Sequence, residues 1–409
     1  MPPMKLMKNI LGVCLLFCSG SLFSQVLTKE DSLAAGLKMS ERTTVLSGYG
    51  ECMLSYNSGQ KTANVNMTRF VTFMGHRFSK TITLFSEMEF ENAKIANGSV
   101  GGELSLEQMF LKFDLNRSNY LVAGLFTPRI GIINENHLPT TYNGNNRHFV
   151  EAYLIPATWR EIGVGLYGRF DRLPGFNYYI GVTNGLSSEK FSRGTGIRDG
   201  RFEGSNATAT NIAVSAAALY YYRNFRFQAS GYYGGSAGIG KKQADSLQLN
   251  SGAFGTPVGL AEINVQYNSK HFGFKALATS VSIPEAGSIN RAYANNTARN
   301  MQGAFAEVSY NILKNEDIRA KKLLVFYRYE WFDLNYKMPV NGIKDRALNQ
   351  QFFVYGLTYK PAVGVAIKAD VVNKITGTPN PDFNVNPFPQ LPAYYKNNWF
   401  VNIGFAYSF

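Results

Sequence analysis

The stretch Asn398 to Phe409, N-W-F-V-N-I-G-F-A-Y-S-F, decides how the rest of the chain reads. Trp399, Val401, Ile403, Phe405, Tyr407 and Phe409 are large and apolar. Asn398, Asn402, Gly404, Ala406 and Ser408 between them are small or polar, and Phe400 alone breaks the alternation. Because successive side chains of a strand point to opposite faces, the segment reads as a strand with one apolar and one wet face. It ends on an aromatic residue without a polar tail, which fits a strand that closes a membrane barrel beside an aromatic girdle.

Working outward, strand-like segments recur near 44–56, 65–78, 81–92, 103–115, 119–127, 161–171, 175–184, 210–223, 225–235, 258–268, 271–283, 301–313, 321–334, 350–360, 361–373 and 398–409. Their connections sort by length. Tight ones include Phe78-Ser79-Lys80, Leu115 to Ser118, Asp171 to Gly175, Arg223-Asn224-Phe225, Asn268 to His271 and Tyr359-Lys360-Pro361. Between them lie longer ones at 57–64, 93–102, 128–160, 185–209, 236–257, 284–300, 335–349 and 374–397. The expected fold is therefore all-β: a transmembrane antiparallel β-barrel of about sixteen strands, with short periplasmic turns and long extracellular loops.

The alternation within segments agrees. Val363, Val365, Ile367, Ala369 and Val371 oppose Gly364, Ala366, Lys368 and Asp370, and Ala261, Ile263, Val265 and Tyr267 oppose Glu262, Asn264 and Gln266. With lipid outside and water inside, the apolar set faces out. Two segments fit less simply. Arg69 sits among Val71 and Phe73, and 103–115 switches phase near Gln108, which suggests a bulge or a shifted boundary.

Composition points the same way. Of 409 residues only 17% are charged while 14% are aromatic, with Gly 39, Tyr 24 and Phe 30; aromatics suit strands and membrane interfaces. A mean hydropathy of -0.15 argues against a helical membrane protein. The formal charge of +13 is compatible with anionic solutes, lipopolysaccharide phosphates or nucleic acid, and chooses none of them.

The first residues read as a signal peptide, 1–24: Lys5 and Lys8 form a basic region, Ile10 to Phe17 an apolar one, and Ser19 to Ser24 a small-residue end. Cleavage falls between Ser21 and Ser24. Residues 25–43 read as a polar periplasmic lead-in, and 44–409 as the barrel. Cys14 and Cys18 leave with the signal, so Cys52 has no internal disulfide partner.

The longest connection, 128–160, carries Ile132, Ile133, Leu138, Phe149, Val150, Leu154, Ile155 and Trp159, too apolar for disorder. It is expected to fold into the barrel and narrow it. Here G-L-F-T-P-R-I-G-I-I-N-E-N-H at Gly124 to His137 and R-H-F-V-E-A-Y-L-I-P-A-T-W-R-E-I-G-V-G-L-Y-G at Arg147 to Gly168 resemble the phosphate-selective porin O and P family. That resemblance implies a sixteen-stranded, usually trimeric, anion-preferring outer-membrane porin with an inward third loop, and makes Phe409, with Tyr407, the signal read by the barrel-assembly machinery. The arginine ladder and lysine cluster of the phosphate-specific members are not evident here.

Arg129, Arg147 and Arg160 in this connection, with Arg169 just beyond it, are the constriction candidates. By alternation Arg226, Lys275, Arg328 and Lys368 line the pore together with Glu87, Glu89, Glu262 and Glu330, and Glu51, Glu307 and Asp370 also point inward. A wall of both signs sets up a field across the lumen rather than a ring of one charge. The basic excess lies in the long loops, at Lys190, Arg193, Arg198, Arg201, Lys241, Lys242, Arg291, Arg299, Lys337, Lys344, Arg346 and Lys396, where it could steer anions or meet lipopolysaccharide.

No chain-order signal for an enzyme emerges from His76, His137, His148 and His271, and the spacing of Glu135, His137, His148 and Glu151 matches no zinc pattern. No cofactor and no nucleic-acid partner is expected. The expected function is passive diffusion of small hydrophilic solutes and ions across the outer membrane of a Gram-negative-type bacterium, with an anion or phosphate preference. The rival reading is a structural or adhesive barrel plugged by its own loops.

Overall fold

The computed structural model describes residues 43–92, 102–313, 321–379 and 395–409. The expected signal peptide, 1–24, and the expected lead-in, 25–43, all but its last residue, lie outside the described residues. The strands are β1 (Thr43–Asn57), β2 (Thr62–Arg77), β3 (Ile82–Glu91), β4 (Leu104–Asp114), β5 (Asn119–Phe126), β6 (Glu161–Arg169), β7 (Phe176–Asn184) and β8 (Ile212–Tyr222). They continue as β9 (Phe225–Gly234), β10 (Val258–Asn268), β11 (Phe272–Ser282), β12 (Asn300–Asn311), β13 (Lys322–Lys337), β14 (Asn349–Ala362), β15 (Val365–Thr376) and β16 (Asn397–Ser408). Each pairs antiparallel with its chain neighbours. β1 and β16 close the ring, from Tyr49 opposite Ser408 to Asn57 opposite Phe400. Closure leaves no unpaired strand edge, which a spanning sheet requires because hydrocarbon offers no hydrogen-bond partner.

The alternation sets the two faces. Ile263, Ile367, Trp399, Val401, Ile403 and Phe405 are exposed on the outer wall, whereas Glu262, Lys368, Asp370 and Asn402 are buried within. This apolar belt around a closed ring makes the chain an outer-membrane barrel. The phase switch near Gln108 is a bulge: Glu87 pairs with Gln108 and Met88 with Leu106, so Glu107 is the extra residue and both Glu107 and Gln108 turn inward. A second bulge at Thr68 in β2 keeps Arg69, Val71 and Phe73 all facing in.

Three expectations are corrected. The β1–β2 connection is tight, because Asn57 pairs with Thr62 and both strands extend past the earlier boundary. The turn between β14 and β15 is Val363-Gly364 rather than Tyr359-Lys360-Pro361. Gly364 at φ +77 makes that two-residue reversal, and Pro361 sits in an irregular stretch where no ladder N–H is needed. Finally, the inner wall is not uniformly polar: Phe73, Phe85, Phe110, Tyr120, Val122, Tyr167 and Tyr179 form an inward-facing cluster from β2 to β7. Apolar side chains point inward there because they pack on one another instead of facing water.

Candidate functional site

The connection 127–160 seats itself against inward-facing side chains around most of the ring. Its own knot is Glu151, in the short helix α1 (Phe149–Leu154), whose Oε1 accepts from the amides of Ile132 (2.6 Å) and Ile133 (2.8 Å). Oε2 lies 2.6 Å from His148 Nδ1. Burial pushes the Glu151 carboxyl up to about 8 and pushes the His148 imidazole well down, the latter helped by the positive charges of Arg328 and Lys275. At neutral pH the carboxyl therefore carries the proton and donates it to the ring nitrogen. Trp159 returns the chain to the wall, with its amide on Asn134 Oδ1 (2.9 Å) and its indole on Glu161 (2.8 Å).

Seen from the wall, many inward acids end on this connection. Glu330 accepts from the amide of Val150 (2.9 Å), Glu307 from Asn143 (3.0 Å), Asp370 from the amide and side chain of Asn145 (2.7 and 2.6 Å), and Glu51 from the Tyr142 hydroxyl (3.1 Å). Arg328 bridges Glu307 (3.3 Å) and Glu330 (2.8 Å) and donates to the carbonyls of Asn143 and Asn146. Lys368 stands 4.0 Å from the centre of the Tyr142 ring, a cation on an aromatic face.

These contacts correct the pore-lining assignments on that arc. Arg328 and Glu330 are 0% exposed and Lys368 and Glu262 2%, so they hold the connection in place rather than face a solute. Alternation put them on the right face and could not say what covers it. Glu87 is also buried, at 1%. Arg226 pairs with Glu135 of the connection, and Lys275 is half-buried opposite Glu307 of β12.

On the β1–β4 side lies a chamber of about 540 Å³. The barrel wall supplies Glu51, Arg69, Glu89 and Glu91, with Glu103 just before β4; the connection supplies Tyr142, Arg147 and Arg160, and the next long loop supplies Arg198, Arg201 and Glu203. Arg69 is committed to Glu51 (2.7 Å) and Glu89 (3.1 Å). Arg201 is held by Glu203 (2.6 Å) and by the carbonyls of Pro156 and Thr158, and Arg198 by the carbonyls of Ala152 and Ala157. Burial lowers both guanidinium groups, helped for Arg198 by the charge of Arg147 and for Arg201 by that of Arg198, and Arg201, at about 10, stays cationic at neutral pH. Arg147 differs: its Nε and Nη2 are buried and make no hydrogen bond.

The four constriction candidates thus divide. Arg147 and Arg160 line the chamber. Arg129 pairs with Glu135 (3.3 Å) and faces the Tyr167 ring, bordering with Arg169 a second space of about 30 Å³ at the short-turn end. Arg169 lies at the end of β6 beside Asp171 (3.6 Å), away from the chamber. Arg198 and Arg201 were expected at the mouth and instead enter the lumen. Arg198-Asp199-Gly200 forms a 3-10 turn, and nothing in its local sequence marks that position.

No family model matches the chain. A protein of Aquifex aeolicus described as uncharacterized is 27% identical over 340 residues, spanning 80% of this chain and 75% of its own length. Among solved structures, the outer membrane channel DcaP of Acinetobacter baumannii superposes with a TM-score of 0.53 at 14% identity over 90% of this chain and 98% of its own. The anion-selective porin from Comamonas acidovorans gives 0.51 at 11% identity, covering 90% and 100%. A loop-deletion form of OmpT, an outer membrane protein of Vibrio cholerae, gives 0.53 at 12%, covering 90% and 100%. At these identities the likeness is one of fold, that of outer-membrane porins and channels.

Proposed function

We propose that this chain is a porin that lets small hydrophilic solutes and ions diffuse across the outer membrane, with a preference for anions. The observation that carries the preference is Arg147, a half-buried cation that lines the chamber with Arg160, Arg198 and Arg201 and whose Nε and Nη2 are held by no hydrogen bond. A fixed cation in a partly desolvated passage lowers the cost of stripping water from an anion. Nothing in this work of transport makes or breaks a bond. Phosphate is one such anion, in keeping with the resemblance of the Gly124 to Gly168 block. Planar-bilayer recording of the purified protein tests the reading: ion current with an anion-selective reversal potential in a KCl gradient supports it, and a silent bilayer at every voltage ends it.

A second reading has its own support. The connection 127–160 contributes Ile130, Ile132, Val150, Leu154, Ile155 and Trp159 to an apolar cluster inside the barrel. A lumen packed in this way is what a non-conducting barrel plugged by its loops would show, and the silent bilayer is its signature. In either case the chain would sit among lipopolysaccharide and lipid as a homotrimer; OmpT of Vibrio cholerae has been solved in a trimer form. Phe409 and Tyr407, stacked at 6.5 Å on the outer rim, would be read by the barrel-assembly machinery. Removing Phe409 should lower the folded yield in membranes, and an unchanged yield would count against that role.

A further inference from the structure

We propose that Glu87 of β3, Glu107 of β4 and His137 of the inward connection form a binding site for one divalent first-row transition ion, which pins the connection to the wall. One ligand atom from each lies within 4.8 Å of the others, and the three side chains are 1–2% exposed. His137 Nε2 stands 3.5 Å from Glu107 Oε2 and 3.8 Å from Glu87 Oε2. A tetrahedral ion about 2.0–2.2 Å from each ligand sets neighbouring ligand atoms roughly 3.3–3.6 Å apart, close to that spacing.

Two further observations point to a ligand. Neither ring nitrogen of His137 makes a hydrogen bond, and Glu87 Oε1 has no partner either, although all three atoms are buried. Buried polar atoms left in that state cost free energy that a coordinated ion removes. The charge is only partly compensated. Arg69 is taken by Glu51 and Glu89, and Arg160 Nη1 stands 3.8 Å from Glu107 while it also pairs with Glu203.

The surroundings orient the carboxylates as ligands need. Gln108 Nε2 donates to Glu87 (2.6 Å), while the Tyr49 hydroxyl (3.0 Å) and the Thr158 hydroxyl (3.1 Å) donate to Glu107. Glu107 faces the lumen only because it is the extra residue of the β4 bulge. One imidazole and two carboxylates suit zinc, manganese or ferrous iron, with water completing the shell.

The test uses the full-length folded barrel in detergent, stripped with a chelator and dialysed against zinc chloride. The expected result is one zinc per chain, with affinity falling more than about tenfold in His137→Ala and in Glu107→Gln. Glu103→Gln, a chamber carboxylate outside the cluster, should leave it unchanged. X-ray absorption of the cobalt-loaded wild type, which does not depend on any variant folding, should show one imidazole in the metal shell. A wild type that retains no zinc, or a cobalt shell of oxygen alone, overturns the site.

Discussion

Along β1 to β3 the inward charges Glu51, Arg69, Glu89 and Glu91 border the chamber, whereas along β10 to β15 Glu262, Glu307, Arg328, Glu330, Lys368 and Asp370 lie beneath the inward connection. Both arcs follow the same alternation and carry charge of both signs. The wall pattern decides which way a side chain points, and the 127–160 connection decides what it meets there. On the covered arc Glu262, Arg328, Glu330 and Asp370 bond to backbone groups of the connection, Glu307 to the Asn143 side chain, and Lys368 lies on the Tyr142 ring, so they act as a seat. On the other arc Arg69 ties Glu51 and Glu89 together at the edge of the chamber, and these charges border that space instead of lying wholly beneath the connection.

The sharpest way to break this comparison is to remove one charge from each arc. Arg328→Ala strands Glu307 and Glu330 in a dry setting and should destabilise the barrel by about 3–5 kcal/mol in urea unfolding. Glu103→Gln, exposed on the chamber side, should stay within about 0.5 kcal/mol. A cost under about 1 kcal/mol for Arg328→Ala would mean that the covered arc is wetter than its burial indicates.

A smaller effect tests the seat itself through pH. The Glu151 carboxyl titrates in the fold at about 8, above its ordinary value, so the native state keeps a proton that the unfolded chain releases. Its contribution is complete below the ordinary carboxyl range and declines as pH rises to about 8, at up to ~1.4 kcal/mol per pH unit. His148 is shifted the other way, so its contribution declines as pH falls from its ordinary range, and over pH 6.5 to 8 the part due to Glu151 is read from the difference between wild type and Glu151→Gln. Glu151→Gln, which keeps an acceptor for Ile132 and Ile133, should flatten the slope over that interval. An identical slope in wild type and variant would show that the knot ionises freely.

The smallest effect separates conduction from support. Arg147→Ala should move the reversal potential in a KCl gradient several millivolts toward cation selectivity, while Lys368→Met should leave it in place. Equal shifts from the two variants would erase the distinction between the arcs.

The strands were legible because each announces itself locally. Lys368 flanked by Ile367 and Ala369, or Asn402 flanked by Val401 and Ile403, states its face within three residues, and the sorted connections supplied the count. Even the β4 bulge showed as a phase change near Gln108. The site was not legible in the same way, because its contacts join distant parts of the chain. Asn145 reaches Asp370 across 225 positions and Arg328 reaches the carbonyl of Asn143 across 185. Nothing in a strand's own period records what will be laid over it. The same limit hid Arg198 and Arg201, whose partners are carbonyls of another loop, and it split Arg129 and Arg169 from Arg147 and Arg160.

The closing seam has a mechanical consequence. Phe409 exchanges both backbone hydrogen bonds with Gly48, N to O at 2.9 Å and 3.1 Å, and its carbonyl also accepts from Ser47 Oγ at 2.6 Å. β1 and β16 run antiparallel, so tension applied to the two described ends loads this pair first and then each rung in turn toward Asn57 and Phe400. The barrel is a zipper along that line, peeling one rung at a time, and the ring has at this seam a place where a steady pull can begin to undo it.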